Sequence, residues 1–267
     1  VKSQQTARLN DIPTSLKHPL LCFLAAFRFL TIIPIHWRSD QDGRYFQHSL
    51  HYFPILGSLI GLSVCGFAVL LRFLLPGLMI TVITMILLAM VSGCLHLDGL
   101  ADTADGFFSS RPKEKILEIM RDSRTGPMGV IVIVFILLLK FAALSTLAPS
   151  VFIKTVFLMP LAGRCAIVLS MAILPYARDE EGLGRLFYSK YCRWSALWSL
   201  IFMIGLLPFL GVKAAVLACC TTITVVLLFG FWCKKKIGGA TGDTLGAVCE
   251  IAEMAIAVSF ANILISN

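Results

Sequence analysis

Seven stretches, roughly residues 52–75, 78–96, 128–148, 152–175, 195–210, 212–233 and 245–265, are continuously apolar, and polar residues are concentrated between them. A helix needs about 20 apolar residues to cross a hydrocarbon core of about 30 Å, so each stretch predicts a span in full or nearly so. None alternates with period two, which predicts helices and not barrel strands. The expected fold class is all-α, a polytopic transmembrane helical bundle of about seven spans. A further apolar segment, PLLCFLAAFRFLTIIPI at 19–35, resembles a signal peptide but carries Arg28 at its centre and is followed by no small-residue cleavage site. It predicts an N-terminal interfacial or re-entrant helix, with a tilted span as the alternative. Residues 1–18 read as a polar tail and 19–267 as a single integral-membrane domain.

The connections alternate in character. Those near Leu75-Pro76-Gly77, Ala148-Pro149-Ser150 and Leu210-Gly211-Val212 are short and lack carboxylates, whereas 36–51, 97–127, 176–194 and 234–244 are long and charged. The long connections hold two, five, four and three basic residues, fourteen of the chain's twenty-three. By the positive-inside rule they face the cytoplasm. Every acidic residue except Asp11 lies in or beside these connections or at the adjoining end of the last span, so any chemistry is expected on that one face.

Composition agrees: 58% of residues are hydrophobic and 14% charged, well below the roughly 25% charged of a soluble domain. The net charge of +8 is accounted for by loop asymmetry, and no nucleic-acid partner is expected. Membrane lipids are the expected surroundings, and a homo-oligomer is compatible with the sequence. The nine cysteines lie mostly in apolar runs without CxxC spacing and read as small buried hydrophobes.

Against this background HLDGLADTADGFF stands out at 96–108. On a helix Asp102 falls about 40° and Asp105 about 20° from Asp98, so one narrow stripe carries all three. Stacked carboxylates repel and call for a cation; magnesium suits them, since it takes one or two carboxylates and completes its shell with water and phosphate oxygens. The alternative is a solvated acidic first turn. His96 points away from the stripe, and a capping or substrate hydrogen bond is expected of it.

MRDSRTGPMG, at 120–129, offers the guanidinium forks of Arg121 and Arg124, the Ser123 hydroxyl, a fourth carboxylate on Asp122, and Gly126 and Gly129 for close backbone approach. The bland reading is a basic anchor at the start of a span. In KKKIGGATGDTLGAVCEIAEMA, Gly238, Gly239 and Gly242 form a compact turn able to present N–H groups to an anion. Asp243 and Glu250 share a helix face, with Glu250 about 10 Å and Glu253 about 15 Å along the axis from Asp243. Carboxylates at that depth are expected to face a wet cavity or to pair with Arg164, the arginine in the middle of the fourth span. Lys140 and Arg72 are expected to snorkel towards the interface. Carboxylates for a metal, arginines for phosphates and a glycine-rich turn on one face describe phosphoryl-group transfer. A lipid phosphotransferase acting on CDP-alcohols and an ion-coupled transporter using Glu250 and Glu253 are the alternatives.

HLDGLADTADGFF (96–108), RDSRTGPMG (121–129), LAGRCA…LPYAR…EGLG (161–184) and GGATGDTLGA…E (238–250) resemble, in the same order, the motifs of the adenosylcobinamide-GDP ribazoletransferase (cobalamin synthase) family. The similarity spans roughly residues 20–262. It implies an enzyme that joins ribazole, or ribazole 5′-phosphate, to adenosylcobinamide-GDP with release of GMP, with Mg2+ as cofactor. It also implies that Asp98, Asp102, Asp105 and Asp122 ligate or orient magnesium and that Arg124, Arg164 and Arg178 hold the pyrophosphate. Thr241, Asp243 and Glu250 would form the opposite wall, one carboxylate serving as general base.

Overall fold

The computed structural model describes residues 14–34, 42–178, 183–189 and 191–263. The first thirteen residues, most of the expected polar tail, and Glu181 and Gly182 of the third motif lie outside the described residues. The helices are α1 (Thr14–Leu30), α2 (Asp42–Ser49), α3 (Phe53–Leu71), α4 (Gly77–Val91), α5 (Leu95–Phe107), α6 (Lys113–Ile119), α7 (Pro127–Ser145), α8 (Pro149–Ile173), α9 (Cys192–Gly205), α10 (Leu207–Leu210), α11 (Val212–Ile237) and α12 (Gly242–Ile263). Short 3-10 turns occupy Leu50–Tyr52 and Leu183–Phe187.

Among the described residues six helices are long and apolar enough to cross a membrane, and a seventh span results if α4 and α5 count as one segment bent by 85°. The apolar part of α1, His18–Leu30, falls short of a span. Both results match the sequence expectation of about seven spans and a shorter N-terminal element.

α8 is the axis of the bundle: 83% of its apolar window is buried, against 28% for α7. It packs most extensively against α3 and α12. Lipid tails are as apolar as leucine, so helices in a bilayer associate through close backbone packing, which small residues permit. A Cβ on Gly57 or Gly61 of α3 would lie 2.7 Å from the Pro160 carbonyl oxygen or 2.6 Å from that of Phe157, and one on Gly163 of α8 would lie 2.6 Å from Cys249 Sγ on α12. Any larger side chain at these positions would push the helices apart.

The break between α4 and α5 fixes the shape of the acidic end. Gly93 and Cys94 both adopt φ 60°, a left-handed pair that terminates α4 and turns the chain along the end of the bundle. The Val91 carbonyl accepts from the Ile32 N–H at 2.8 Å, which docks the end of α1 onto the break. The long charged connection 97–127 is largely helical, as the stripe of its three aspartates requires. Its first helix, α5, buries Leu97, Leu100, Ala101, Ala104 and Phe107.

A second junction lies opposite. α11 ends at Gly238 (φ 79°), and the following backbone pairs with the segment leaving α8. Ala240 N–H donates to Pro175 O (2.8 Å) and Ala177 N–H to Ala240 O (2.9 Å). This short parallel bridge brings the residues after α8 against the start of α12. The chain ends at the other face are tied separately: Arg72 Nη2 donates to the Pro149 carbonyl at 3.0 Å.

Candidate active site

α5 rests on the first turns of α12 because two glycines allow it. A Cβ on Gly99 would lie 2.7 Å from the Asp243 carbonyl oxygen, and one on Gly246 would lie 3.2 Å from His96 Cα. The crossing sets the aspartate stripe of α5 beside Asp243. Asp98, Asp243, Arg178, Tyr176, His96 and Phe29 then line one cavity of about 250 Å³, closed by Leu95, Ile167, Met171 and Leu245. Asp102 stands next to this group, where the charges of Asp98, Asp243 and Asp105 oppose its own and that of Arg178 offsets it.

Asp243 is held by two donors. Arg178 Nη2 donates to its Oδ2 at 2.8 Å and the Thr241 hydroxyl to the same oxygen at 3.3 Å. Arg178 Nε is buried and finds no acceptor among the described residues. Burial, chiefly, holds the Tyr176 phenol above its ordinary pKa, so at neutral pH it remains a protonated donor. The charges of Arg178, Arg121 and Arg185 all reach Tyr176, and that of Asp243 opposes them.

Other predicted residues have local tasks. Thr241 is fully buried and caps α12: its N–H donates to Thr244 Oγ1 (2.8 Å), and the Thr244 N–H donates back to Thr241 Oγ1 (3.3 Å). The turn's glycines therefore serve the α11 end and the approach to Pro175, while Thr241 organises the helix start. Asp105 caps α7 from a distance. Its Oδ2 accepts from Gly126 N–H (2.7 Å) and its Oδ1 from Gly129 N–H (2.9 Å). The close approach expected of these glycines is thus to a carboxylate of the protein itself; a Cβ on Gly126 would sit 2.5 Å from Asp105 Oδ1.

Asp122 and Arg124 form an exposed fork, with Arg124 Nε 3.0 Å from Oδ1 and Nη2 2.7 Å from Oδ2. The Arg124 hydrogen bonds pull the Asp122 carboxyl down to about 2. Arg121 and Ser123 are exposed on the same loop.

Deeper in the bundle, Lys140 Nζ lies 2.6 Å from Glu250 Oε2 and 2.9 Å from Glu253 Oε2, and Arg164 Nη1 lies 2.6 Å from Glu253 Oε1. All four side chains are buried. Lys140 therefore does not snorkel: two carboxylates across the bundle supply a closer and better partner than the interface. Pairing with Arg164, one of the alternatives for these glutamates, is what Glu253 does. Glu250 and Arg164 do not line the cavity; His96 does, is buried with Nε2 unpartnered among the described residues, and is within reach of the charges of Arg164, Glu253 and Lys140.

Among the described residues no three His, Cys, Asp or Glu side chains are arranged to hold a metal by themselves. The donor chemistry nevertheless fits magnesium, which needs only one or two carboxylates when phosphates and water supply the rest. Asp98 and Asp102, one helical turn apart and beside an unsatisfied arginine nitrogen, form such a pair. Sequence reasoning missed Phe29, Tyr176 and Lys140. Tyr176 lies inside the LPYAR motif, whereas an apolar run gives no sign that Phe29 reaches the site.

The chain matches the family model for cobalamin-5-phosphate synthase over residues 22–261. It is similar to the adenosylcobinamide-GDP ribazoletransferase of Acetivibrio thermocellus, 40% identical over 238 residues that cover 87% of this chain and 94% of the relative. The protein of the same name from Clostridium acetobutylicum is 39% identical over 228 residues, 84% of this chain and 89% of the relative. That from Thermoanaerobacter pseudethanolicus is 36% identical over 243 residues, 89% and 96% of the two chains. No solved structure matches.

Proposed function

The chain belongs to the cobalamin-5-phosphate synthase family, and from that premise we propose that the cavity between α5 and α12 is where its reaction takes place. The reaction is the last assembly step of the cobalamin nucleotide loop: ribazole, or ribazole 5′-phosphate, is transferred onto adenosylcobinamide-GDP and GMP is released. The observation that carries the assignment is the convergence of Asp98, Asp243, Arg178 and Tyr176 on one cavity at the polar end of an apolar bundle.

The 3′-hydroxyl of ribazole attacks the phosphorus next to the aminopropanol arm. A new P–O bond forms, the bond from that phosphorus to the bridging oxygen breaks, and GMP departs with the electron pair. Asp243 receives the hydroxyl proton. Both of its contacts fall on Oδ2, which leaves Oδ1 as the accepting oxygen. Arg178 orients Asp243 and offers its unsatisfied Nε to the diphosphate. Tyr176 donates its O–H to a second phosphate oxygen. Asp98 and Asp102 would hold magnesium, which would supply positive charge to offset that of the diphosphate. Arg121, whose charge reaches Tyr176, and Arg124 on the same exposed loop draw the anionic substrate in.

The protein is multi-pass, and the Lys/Arg-rich connections support a cytoplasmic position for this end of the bundle in the cell membrane. The decisive experiment mixes purified protein, magnesium, a GDP-activated corrinoid and ribazole and measures GMP. Release of GMP that vanishes in Asp98→Asn and Asp243→Asn, with both variants still inserted, is the expected result. Undiminished turnover in both variants would remove the cavity from the reaction.

A further inference from the structure

The cavity has two unlike sets of lining residues. Asp98, Tyr176, Arg178, Asp243 and His96, whose buried Nε2 has no partner among the described residues, make its polar wall; Phe29, Leu95, Ile167 and Met171, which carry no side-chain hydrogen-bonding group, make its apolar wall. Phe29 is the aromatic member of the apolar wall. It comes from α1, the helix too short to span, and is delivered to the site by the Ile32–Val91 hydrogen bond at the α4/α5 break. Its ring is braced from outside the cavity. The centroid of Phe187 lies 4.6 Å away, and that of Phe53, stacked on it, 6.2 Å away. Phe187 and Phe53 are fully buried, so the Phe29 ring has a fixed backing and presents a firm apolar surface.

Three groups of the two substrates could meet that wall. The corrin macrocycle is excluded by size, since a cavity of about 250 Å³ lies below even the roughly 300–1,000 Å³ that drug-sized ligands occupy. Guanine fits in size but has a Watson–Crick edge of donors and acceptors. Set against Phe29, Leu95, Ile167 and Met171, that edge would exchange water for no partner, which is unfavourable. The base of ribazole, a methylated benzimidazole, is flat, aromatic and nearly devoid of hydrogen-bonding groups once joined to its ribose. It suits an apolar wall, and the ribose attached to it then lies towards the carboxylates.

Resting on the transferase reading of this cavity, we infer that the Phe29 wall is the seat of the ribazole base and that Phe29 selects an alkylated benzimidazole over a purine. The nucleotide being expelled then lies away from that wall, towards Tyr176, where the charges of Arg178 and Arg121 reach. The two substrates are sorted by wall polarity: the apolar nucleoside at the apolar wall and the guanine nucleotide away from it.

The test uses the full chain in magnesium-containing proteoliposomes. Initial rates of GMP release are measured for wild type, Phe29→Ala and Phe29→Leu, with α-ribazole and with the corresponding α-linked adenine riboside as acceptors. Equilibrium binding of ribazole is measured alongside. Loss of one braced aromatic contact should raise the KM for ribazole and weaken its binding about tenfold in Phe29→Ala, with the KM for adenosylcobinamide-GDP unchanged. The preference for ribazole over the adenine riboside should shrink about fivefold or more, because the wall loses the face that a benzimidazole stacks on. Phe29→Leu, which keeps an apolar wall, should fall between the two and guards against a folding defect in the alanine variant. A rise in the KM for adenosylcobinamide-GDP, or equal losses with both nucleosides, would overturn the assignment of Phe29. Absence of GMP from the wild type would instead defeat the transferase reading, and the binding comparison would still decide whether Phe29 contacts ribazole.

Discussion

Arg178 Nη2 sits 2.8 Å from Asp243 Oδ2, although the two residues belong to segments 65 positions apart. The backbone bridge between Tyr176 and Ala240 makes this pair, since it lays the chain leaving α8 alongside the chain entering α12. An arginine and a carboxylate lining one cavity give the site a fixed cation and an oriented base, one from each of the connections 176–194 and 234–244.

Asp98→Asn and Asp102→Asn should each lower GMP release at fixed magnesium by about a hundredfold or more, the range found when charge stabilisation of a transition state is removed. The decrease should be partly recovered by raising the magnesium concentration, as expected of ligands. A titration of rate against magnesium for both variants checks it; curves that superimpose on the wild type after scaling would speak against ligation.

Arg178→Lys should not rescue Arg178→Gln. A lysine can neutralise Asp243 but cannot also present a second planar donor to the diphosphate, so both variants should lose about tenfold or more in kcat/KM for adenosylcobinamide-GDP. Steady-state kinetics of the two variants side by side gives the answer.

Asp105→Ala should destabilise the protein by about 1–2 kcal/mol through loss of the α7 cap, with the Gly126 and Gly129 amides left unpaired. Gly126→Ala should act in the same direction, because its Cβ would meet Asp105 Oδ1 at 2.5 Å. Thermal unfolding in detergent reports both, and the double variant should cost little more than the worse single one.

Lys140→Met leaves Glu250 buried beside Glu253 without their shared cation, and should destabilise the bundle by about 3 kcal/mol or more. Lys140→Met combined with Glu250→Gln restores charge balance, since Arg164 still neutralises Glu253. Recovery of most of the lost stability in the double variant is the expected outcome, again from thermal unfolding.

Asp122 bears on the pH profile by its absence from it. Its folded pKa, about 2, lies below the ordinary carboxylate value because Arg124 hydrogen-bonds to its ionised form. Any contribution from the pair is therefore complete above the ordinary value and is lost only as pH falls towards 2. Asp122→Asn should leave the pH dependence of GMP release between pH 5 and 9 unaltered; a shifted acid limb would assign Asp122 a part in the chemistry.

The spans were legible because each is a long, predominantly apolar run, a demand of the bilayer that sequence displays directly. The aspartate stripe was legible for a similar reason: positions 98, 102 and 105 need only the helical repeat. What each aspartate does was not, since the partner of Asp105 is a pair of backbone amides in another helix, and amides leave no mark in a sequence. Lys140 finds Glu250 from 110 positions away, and no local pattern separates a snorkelling lysine from a paired one. The 85° bend has no proline to announce it, only Gly93 and Cys94 in left-handed conformations.

That bend has a mechanical corollary for the lipid around it. α4 has only 15 residues before the chain turns, about 22 Å of helix against a hydrocarbon layer of about 30 Å. A short hydrophobic segment is accommodated by bilayer thinning, snorkelling or association, and thinning beside α5 would bring headgroups and water towards Asp98. Bilayer thickness thereby becomes a control on turnover, with shorter acyl chains expected to support faster GMP release than longer ones at equal protein.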